Sequence, residues 1–300
     1  MEIMLKEELT KLQNGTEVTL PLLIKEYTTG TTKNGSPYFS GVAESKGSVP
    51  FKVWSGSVYE KMNTTSYRGK VVLCEATVNI YNGTFALILN TVKSIEGYSV
   101  VDFLDMPYDT DNLYDKMMSL MKANVSESGY SLYEEILSEY LERFKVEVAA
   151  VNYHDNFVGG LLAHTYKMCV VLKYSLKMYK TIAESVDKDL IFLAVALHDI
   201  GKTVEYSNGS LSEISYAGHH VAGVEAIVLH RGKIIATYGE KWYYRLLSVI
   251  TQHHGEFGET PRTVEAVIVH NIDMFESQMQ LMNQSLPIKE YTQIGKFKVI

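Results

Sequence analysis

Histidine is missing from the first 150 residues, aspartate from the first 100, and cysteine occurs only twice in 300. Cys74 and Cys169 sit far apart, in stretches that read as different domains, which does not suggest a disulfide framework, and no Cys-x-x-Cys pair is present to hold a metal. A disulfide-stapled small domain and a zinc-ribbon type of site are therefore not expected. No apolar run approaches the roughly 20 residues a helix needs to cross a bilayer, so no membrane partner is expected. The stretch Met1-Glu2-Ile3-Met4-Leu5-Lys6 has neither the basic start nor the long apolar core of a secretory signal, and a cytoplasmic location is expected. The chain carries 28 Lys and Arg against 35 Asp and Glu, a net charge of -7. That balance does not suit a protein that coats DNA by charge alone.

The charge is unevenly spread. Residues 1–100 hold ten Lys or Arg against nine Glu, whereas the remainder is acidic by eight charges. Three hundred residues suffice for two modest domains, each with its own core. The first region reads as β-strands: Val18–Lys25, Pro37–Ala43, Val49–Trp54, Lys70–Ile80 and Thr84–Val92 are β-branched or aromatic runs of strand length. Asn82-Gly83 between the last two is a two-residue hairpin signal. A gap near 56–69 leaves room for a short helix. Five strands so arranged fit the partly open Greek-key barrel of an OB-fold, and an SH3-like barrel would show a similar count. The segment from 97 to 110 is irregular. Helical periodicity follows in Asp111–Lys122, Ser131–Arg143, Leu161–Lys180, Lys188–Leu197, His219–His230, Lys241–Gln252 and Val264–Phe275. The expected organisation is multidomain: an all-β OB-like barrel over 1–98, a linker and connecting helix over 99–122, and an all-α bundle over 123–300.

Chemistry concentrates in the second region. The apolar run Leu190–Leu197 ends in His198-Asp199-Ile200-Gly201-Lys202. Adjacent His and Asp offer one imidazole nitrogen and one carboxylate oxygen to a borderline divalent ion. Lys202, one turn on if the segment is helical, supplies an ammonium suited to a phosphate oxygen. Each residue alone has an ordinary explanation: His164 as a core histidine, His253-His254 as a helix end favoured by the dipole, Asp273 as a surface carboxylate. Eight of the nine histidines fall after residue 160, and their spacing is the signal.

A His, a His-Asp doublet and a distant Asp, here His164, His198-Asp199 and Asp273, resemble the signature of the HD superfamily of metal-dependent phosphohydrolases. The flanking runs Gly159-Gly160-Leu161-Leu162-Ala163-His164-Thr165, Gly218-His219, His253-His254-Gly255-Glu256 and Pro261 through Glu265-Ala266 stand in the order seen in YhaM-type 3′→5′ exoribonucleases, which join an OB-fold to an HD domain. The resemblance implies that His164, His198, Asp199 and Asp273 hold one divalent metal. It further implies that Asp199 bridges to a second, served by His219, His253 and His254. One or two ions are expected, manganese first, with iron, cobalt, nickel or zinc as alternatives. Lys202 and Asp199 would carry the catalytic roles. His220 departs from the pattern, in which an apolar residue follows Gly-His. In Asn152-Tyr153-His154-Asp155 the resemblance leads one to expect paired histidines, and Asp155 stands at the second position. His230 and His270 are read as structural.

The first region offers Tyr27, Tyr38, Phe39, Phe51, Trp54, Tyr59, Tyr81 and Phe85, with Lys33, Lys46, Lys52 and Arg68. OB-folds bind single strands by stacking bases on aromatics while cations follow the phosphates. Small barrels also need aromatics inside, so about half of these are expected in the core. Strand alternation places Phe51 and Val53 on one face and Lys52 and Trp54 on the other. Lys52, Trp54, Lys33 and Tyr38 are the expected nucleic-acid contacts. The implied function is a metal-dependent 3′→5′ exonuclease of single-stranded RNA or DNA, with association into a homo-oligomer left open. The rival is an HD nucleotide phosphohydrolase or cyclic-nucleotide phosphodiesterase that uses the β-domain as a lid or oligomerisation element. A non-catalytic nucleic-acid binder that keeps the metal for stability is a third reading.

Overall fold

The computed structural model describes residues 2–150, 155–207, 210–255, 258–284, 292–294 and 297–299. The chain divides into two compact units, Met1–Met106 and Pro107–Ile300.

The first unit is a closed five-stranded barrel. Strands β1 (Glu17–Thr31), β2 (Pro37–Glu44), β3 (Ser48–Trp54), β4 (Lys70–Tyr81) and β5 (Thr84–Ser94) follow a short helix α1 (Lys6–Leu9), and α2 (Ser57–Thr64) lies between β3 and β4. The order around the barrel is β1-β2-β3-β5-β4. All neighbours are antiparallel except β3 and β5, whose short parallel join sets Phe51 opposite Leu87 and Lys52 opposite Ile88. Five strands in this order, with a helix between the third and fourth, make the OB-like barrel that the strand pattern foretold. The turn at Asn82-Gly83 has both residues at positive φ, 49° and 76°, the geometry of a tight hairpin turn whose twist matches its strands. β1 runs on to Thr31, well past Lys25. An irregularity between Ile24 and Glu26 lets one strand pair first with β4 and then with β2.

The second unit is helical: α3 (Thr110–Asn124), α4 (Glu127–Ser138), α5 (Leu141–Phe144), α6 (Gly160–Met178), α7 (Lys180–Ser185), α8 (Lys188–Leu197), α9 (Lys202–Glu205), α10 (His219–Val228), α11 (Arg231–Tyr238), α12 (Glu240–Gln252) and α13 (Val264–Gln284). Two small hairpins, β6 (Tyr206–Ser207) with β7 (Ser210–Leu211) and β8 (Thr292–Ile294) with β9 (Phe297–Val299), also lie among the described residues. α8 is the axis of the bundle. Asp187 caps it by accepting from the Leu190 N–H at 2.9 Å, and every residue from Asp189 to Leu197 is buried. An apolar run without polar breaks suits a helix surrounded on all sides.

Several expected boundaries shift. The helix expected over Ser131–Arg143 is two, α4 and α5, and the first starts four residues earlier because Ser126 caps it by accepting from Gly129 N–H at 3.1 Å. Asp189 in turn binds Ser126, a tie 63 residues long that local periodicity cannot show. The helix expected over Leu161–Lys180 stops at Met178 and restarts as α7. The helix expected to end at Phe275 runs to Gln284. No helix among the described residues is long and apolar enough to cross a membrane.

Candidate metal centre

Three helix ends and two helix faces bring the histidines and Asp273 together. α8 ends at Leu197 and leaves His198 as its C-cap. α12 ends at Gln252 and leaves His253 in the same position. α10 starts at His219 after Gly218, whose φ of 81° turns the chain sharply into the helix. α6 contributes His164 and α13 contributes Asp273 from their inward faces. Gly201 permits this convergence. A Cβ on it would lie 1.9 Å from the His219 carbonyl oxygen and 2.5 Å from the Gly223 nitrogen. Only a residue without a side chain lets the His198–Lys202 turn sit against the start of α10.

Asp199 is the centre of the group. Its Oδ2 lies 3.2 Å from His198 Nε2 and 2.7 Å from Lys202 Nζ. Its Oδ1 lies 3.5 Å from both His219 Nε2 and His253 Nε2. His164 Nε2 lies 3.3 Å from Asp273 Oδ1. These imidazoles are fixed from behind. His198 Nδ1 donates to the Val195 carbonyl at 2.8 Å, and His253 Nδ1 to the Ile250 carbonyl at 3.1 Å. His219 Nδ1 donates to Glu205 Oε2 at 3.0 Å, and His164 Nδ1 to Glu276 Oε2 at 2.5 Å. In His198, His219 and His253 an occupied Nδ1 fixes the tautomer that leaves Nε2 with a lone pair pointing inward, and in His164 it would do so once a bound metal replaced the Nε2 proton.

The Nε2 atoms of His198, His219, His220 and His253 and the Asp199 Oδ1 are buried without a hydrogen-bond partner. A buried polar atom left unpaired costs about 1–3 kcal/mol. Five of them converging on one volume is the arrangement that a bound cation relieves. His164, His198 and Asp199 form one group whose donor atoms lie within 4.8 Å of one another; His198, His253 and Asp273 form a second, and His219, His220, His253 and His254 a third. Imidazole nitrogen with carboxylate oxygen is the donor set of borderline first-row divalent ions. The cluster fits a divalent metal.

Electrostatics sort the residues further. Burial opposes charge on His164, yet hydrogen bonds to Asp273 and Glu276 outweigh it and hold the imidazole up to about 10. Burial, reinforced by neighbouring imidazoles, pulls His220 down to about 4 and His254 to about 3. Burial works against the Asp199 carboxylate, but Lys202 and His198 keep it well below the usual carboxylate range. Lys202 is itself buried, and Asp199 holds its ammonium above the ordinary value.

Of the residues expected at this centre, His164, His198, Asp199, Lys202, His219, His253, His254 and Asp273 lie together. Three others lie with them to which the sequence assigns no role. His220 joins His219, His253 and His254, with ring centroids 4.4 to 4.8 Å away. Glu205 and Glu276 back two imidazoles. The available signal was spacing: Glu276 follows Asp273 by three residues on one helix face. Asp155 and Glu276 both pair with Lys167 Nζ, at 2.8 and 2.7 Å, behind His164. His154 and Glu256 lie outside the described residues. His270 Nδ1 binds the His253 carbonyl at 2.7 Å, and His230 Nδ1 sits 3.2 Å from Glu135.

The barrel unit carries a separate surface. Trp54 is 45% exposed, faces Tyr38 across the β2–β3 ladder, and has its ring 5.4 Å from that of Tyr38. Lys52 Nζ lies 5.6 Å from the Trp54 ring and 6.0 Å from the Tyr38 ring. Phe51 and Val53 are buried, as alternation requires. Gly30 makes room for Tyr38, since a Cβ there would meet its ring at 2.5 Å. Lys33 stands exposed in the β1–β2 turn. Tyr27, Phe39, Phe51 and Tyr59 belong to the barrel core, and Arg68 donates to the Tyr27 carbonyl.

Residues 161–278 match the HD domain family model. Over 98% of its length the chain is 27% identical to a 3′-5′ exoribonuclease YhaM from Listeria innocua serovar 6a, covering 94% of that protein. Over 94% it is 25% identical to a 3′-5′ exoribonuclease YhaM from Bacillus pumilus, covering 91% of that one. Among solved structures, the mitochondrial single-stranded DNA binding protein Rim1 of S. cerevisiae overlaps 28% of this chain and all of its own, at 15% identity and a TM-score of 0.24.

Proposed function

We propose that this chain, which carries an HD domain, is a cytoplasmic, divalent-metal-dependent exonuclease that degrades single-stranded RNA from its 3′ end. The observation that carries the reading is the convergence of unpartnered, buried Nε2 atoms on Asp199. The exoribonuclease relatives matched along nearly the whole chain support the substrate class and the direction of attack.

His164, His198, Asp199 and Asp273 would hold one ion, and Asp199 with His219, His253 and His254 a second. Manganese is the first choice for the mixed nitrogen–oxygen set. When bound, such ions lower the pKa of water and neutralise charge on a phosphodiester. The protein's own groups do the rest. The Nδ1 bonds to Glu205, Glu276 and the helix carbonyls keep each imidazole oriented. Lys202 is a fixed positive charge for the phosphate in attack. On the barrel, Trp54 and Tyr38 offer stacking faces and Lys52 a cation for the backbone, so a long strand has more to hold than a nucleotide has.

The test is incubation of purified protein and Mn²⁺ with 3′- and 5′-labelled oligoribonucleotides beside a panel of nucleotides. A 3′ label should leave first as a small product, and a 5′ label should shorten stepwise. Replacing Lys52 and Trp54 together with alanine should raise KM for a long strand and leave dinucleotide turnover unchanged, since stacking contributes about 1–3 kcal/mol per base. Robust hydrolysis of a free or cyclic nucleotide, with the oligonucleotides untouched, would replace this reading with that of a small-molecule phosphohydrolase.

A further inference from the structure

We infer that His220 is a metal ligand, and that it makes the second metal position a four-imidazole site chemically unlike the first. This rests on the metal-dependent reading above and goes beyond it. His220 stands where the resembled pattern has an apolar residue, so nothing in that pattern assigns it a role.

Three observations carry the inference. First, His220 Nε2 is buried without a hydrogen-bond partner, like the Nε2 atoms of His198, His219 and His253. A histidine kept only for packing would have no reason to leave that nitrogen buried and unpaired, because the cost is about 1–3 kcal/mol. Second, His219, His220, His253 and His254 each place a ring nitrogen within 4.8 Å of the others. Nitrogens bonded to one tetrahedral ion at about 2.0–2.1 Å sit about 3.4 Å apart. Small side-chain rotations therefore close the group onto an ion. Third, the sequence places the pair at the first turn of α10, where Gly218 precedes and Glu205 already accepts from both the His219 backbone N–H, at 3.2 Å, and its Nδ1. The first turn is thus pinned with both imidazoles directed at α12.

The two positions then differ in donors. His164, His198, Asp199 and Asp273 offer two nitrogens and two oxygens. The other offers four nitrogens, with Asp199 Oδ1 alongside at 3.5 Å from His219 and His253. Manganese stands at the weak end of the divalent series and suits oxygen donors, whereas imidazole-rich sets favour zinc, nickel, cobalt or iron. One ion of each kind is the expected loading when free manganese far exceeds free zinc, since zinc outbinds manganese at either set when the two are equal. Removing His220 should turn the second position toward that of the resembled pattern.

The experiment uses the full chain, stripped with a chelator and dialysed against free Mn²⁺ in large excess over free Zn²⁺, so that only a zinc-selective position takes zinc, with bound metal counted by elemental analysis. Cobalt titration followed by visible absorption reports the coordination directly. Wild type should retain one manganese and one tightly held zinc. His220→Ile and His220→Asn should weaken the zinc by at least about 10–100-fold, the loss usual when even an outer partner of a ligand is removed. They should also change the cobalt spectrum and leave the manganese in place. Unchanged zinc affinity and cobalt spectrum in either folded variant overturns the inference, and folding is checked by the far-ultraviolet spectrum and the melting curve. If both variants unfold, wild type decides: a second ion no more selective for zinc than the first sinks the inference. Nuclease activity is measured separately, so loss of oligonucleotide cleavage with normal metal loading would count against the proposed function and not against His220.

Discussion

Replacing Glu276 with glutamine tests whether the imidazoles are held for a metal or only packed. The Glu276 carboxylate is 4% exposed and accepts from His164 Nδ1 at 2.5 Å and from Lys167 Nζ at 2.7 Å. Glutamine keeps the shape and loses one acceptor. If its amide oxygen stays toward Lys167, its NH₂ faces Nδ1. His164 can then satisfy it only by giving up its Nδ1 proton and keeping the one on Nε2, the atom aimed at Asp273. If the amide turns over, two donors meet at Lys167. Either arrangement takes away the partner that fixes the ligand tautomer. Such losses typically lower metal affinity by 10–100-fold, or about 1.4–2.7 kcal/mol. Titration of the chelator-stripped variant should show that shift for the site containing His164. Activity plotted against metal concentration should move by the same factor and reach a plateau near wild type. A variant that melts earlier yet binds metal within the roughly tenfold lower limit would show that Glu276 only supports the fold, and would refute the orienting role.

Lys202→Ala leaves the buried Asp199 carboxylate without its 2.7 Å partner. The metal-free protein should lose about 3–5 kcal/mol in denaturant melts, added metal should restore much of this, and turnover should fall by about 10²–10³. Gly201→Ala drives a Cβ to 1.9 Å from the His219 carbonyl. It should cost at least about 1–3 kcal/mol and weaken metal binding; wild-type stability and affinity would contradict the close approach. The metal-free protein should be most stable near pH 6.5. His220 and His254, held down to about 4 and about 3, remain neutral in the fold while the unfolded chain takes up protons, so stability falls as the pH drops below 6.5. His164 is held up to about 10, so its contribution is lost as the pH climbs from 6.5 toward 10. Melting curves in chelator across that range, showing no maximum, would contradict these environments.

The sequence exposes the residues of the cluster more readily than it exposes what orients them. His198-Asp199 announces itself because the preceding apolar run must be a buried helix, and its end must project into the core. Strand alternation likewise separated Phe51 and Val53 from Lys52 and Trp54, since a period of two leaves no other choice. Glu205 and Glu276 stayed hidden for the opposite reason. Each acts on an imidazole from another element, 14 and 112 residues away. A carboxylate on an acidic chain carries no local mark of that partnership. His220 departs from the resembled pattern, so its role stays open in the sequence, and only the turn at Gly218 shows that two consecutive histidines reach the same volume. The early start of α4 depended on Asp189, another distant partner.

The parallel join between β3 and β5 has a dynamic consequence. Antiparallel ladders elsewhere in the barrel run over long stretches, but the cylinder is shut only by Phe51 opposite Leu87 and Lys52 opposite Ile88. That seam is the line along which the cylinder should breathe, because the least-tied part of a structure opens first. Amide deuteration should therefore be quicker along β3 than along β4. Since Lys52 and Trp54 ride on the same strand, a single strand laid across them would act as a clasp on the seam and slow that exchange.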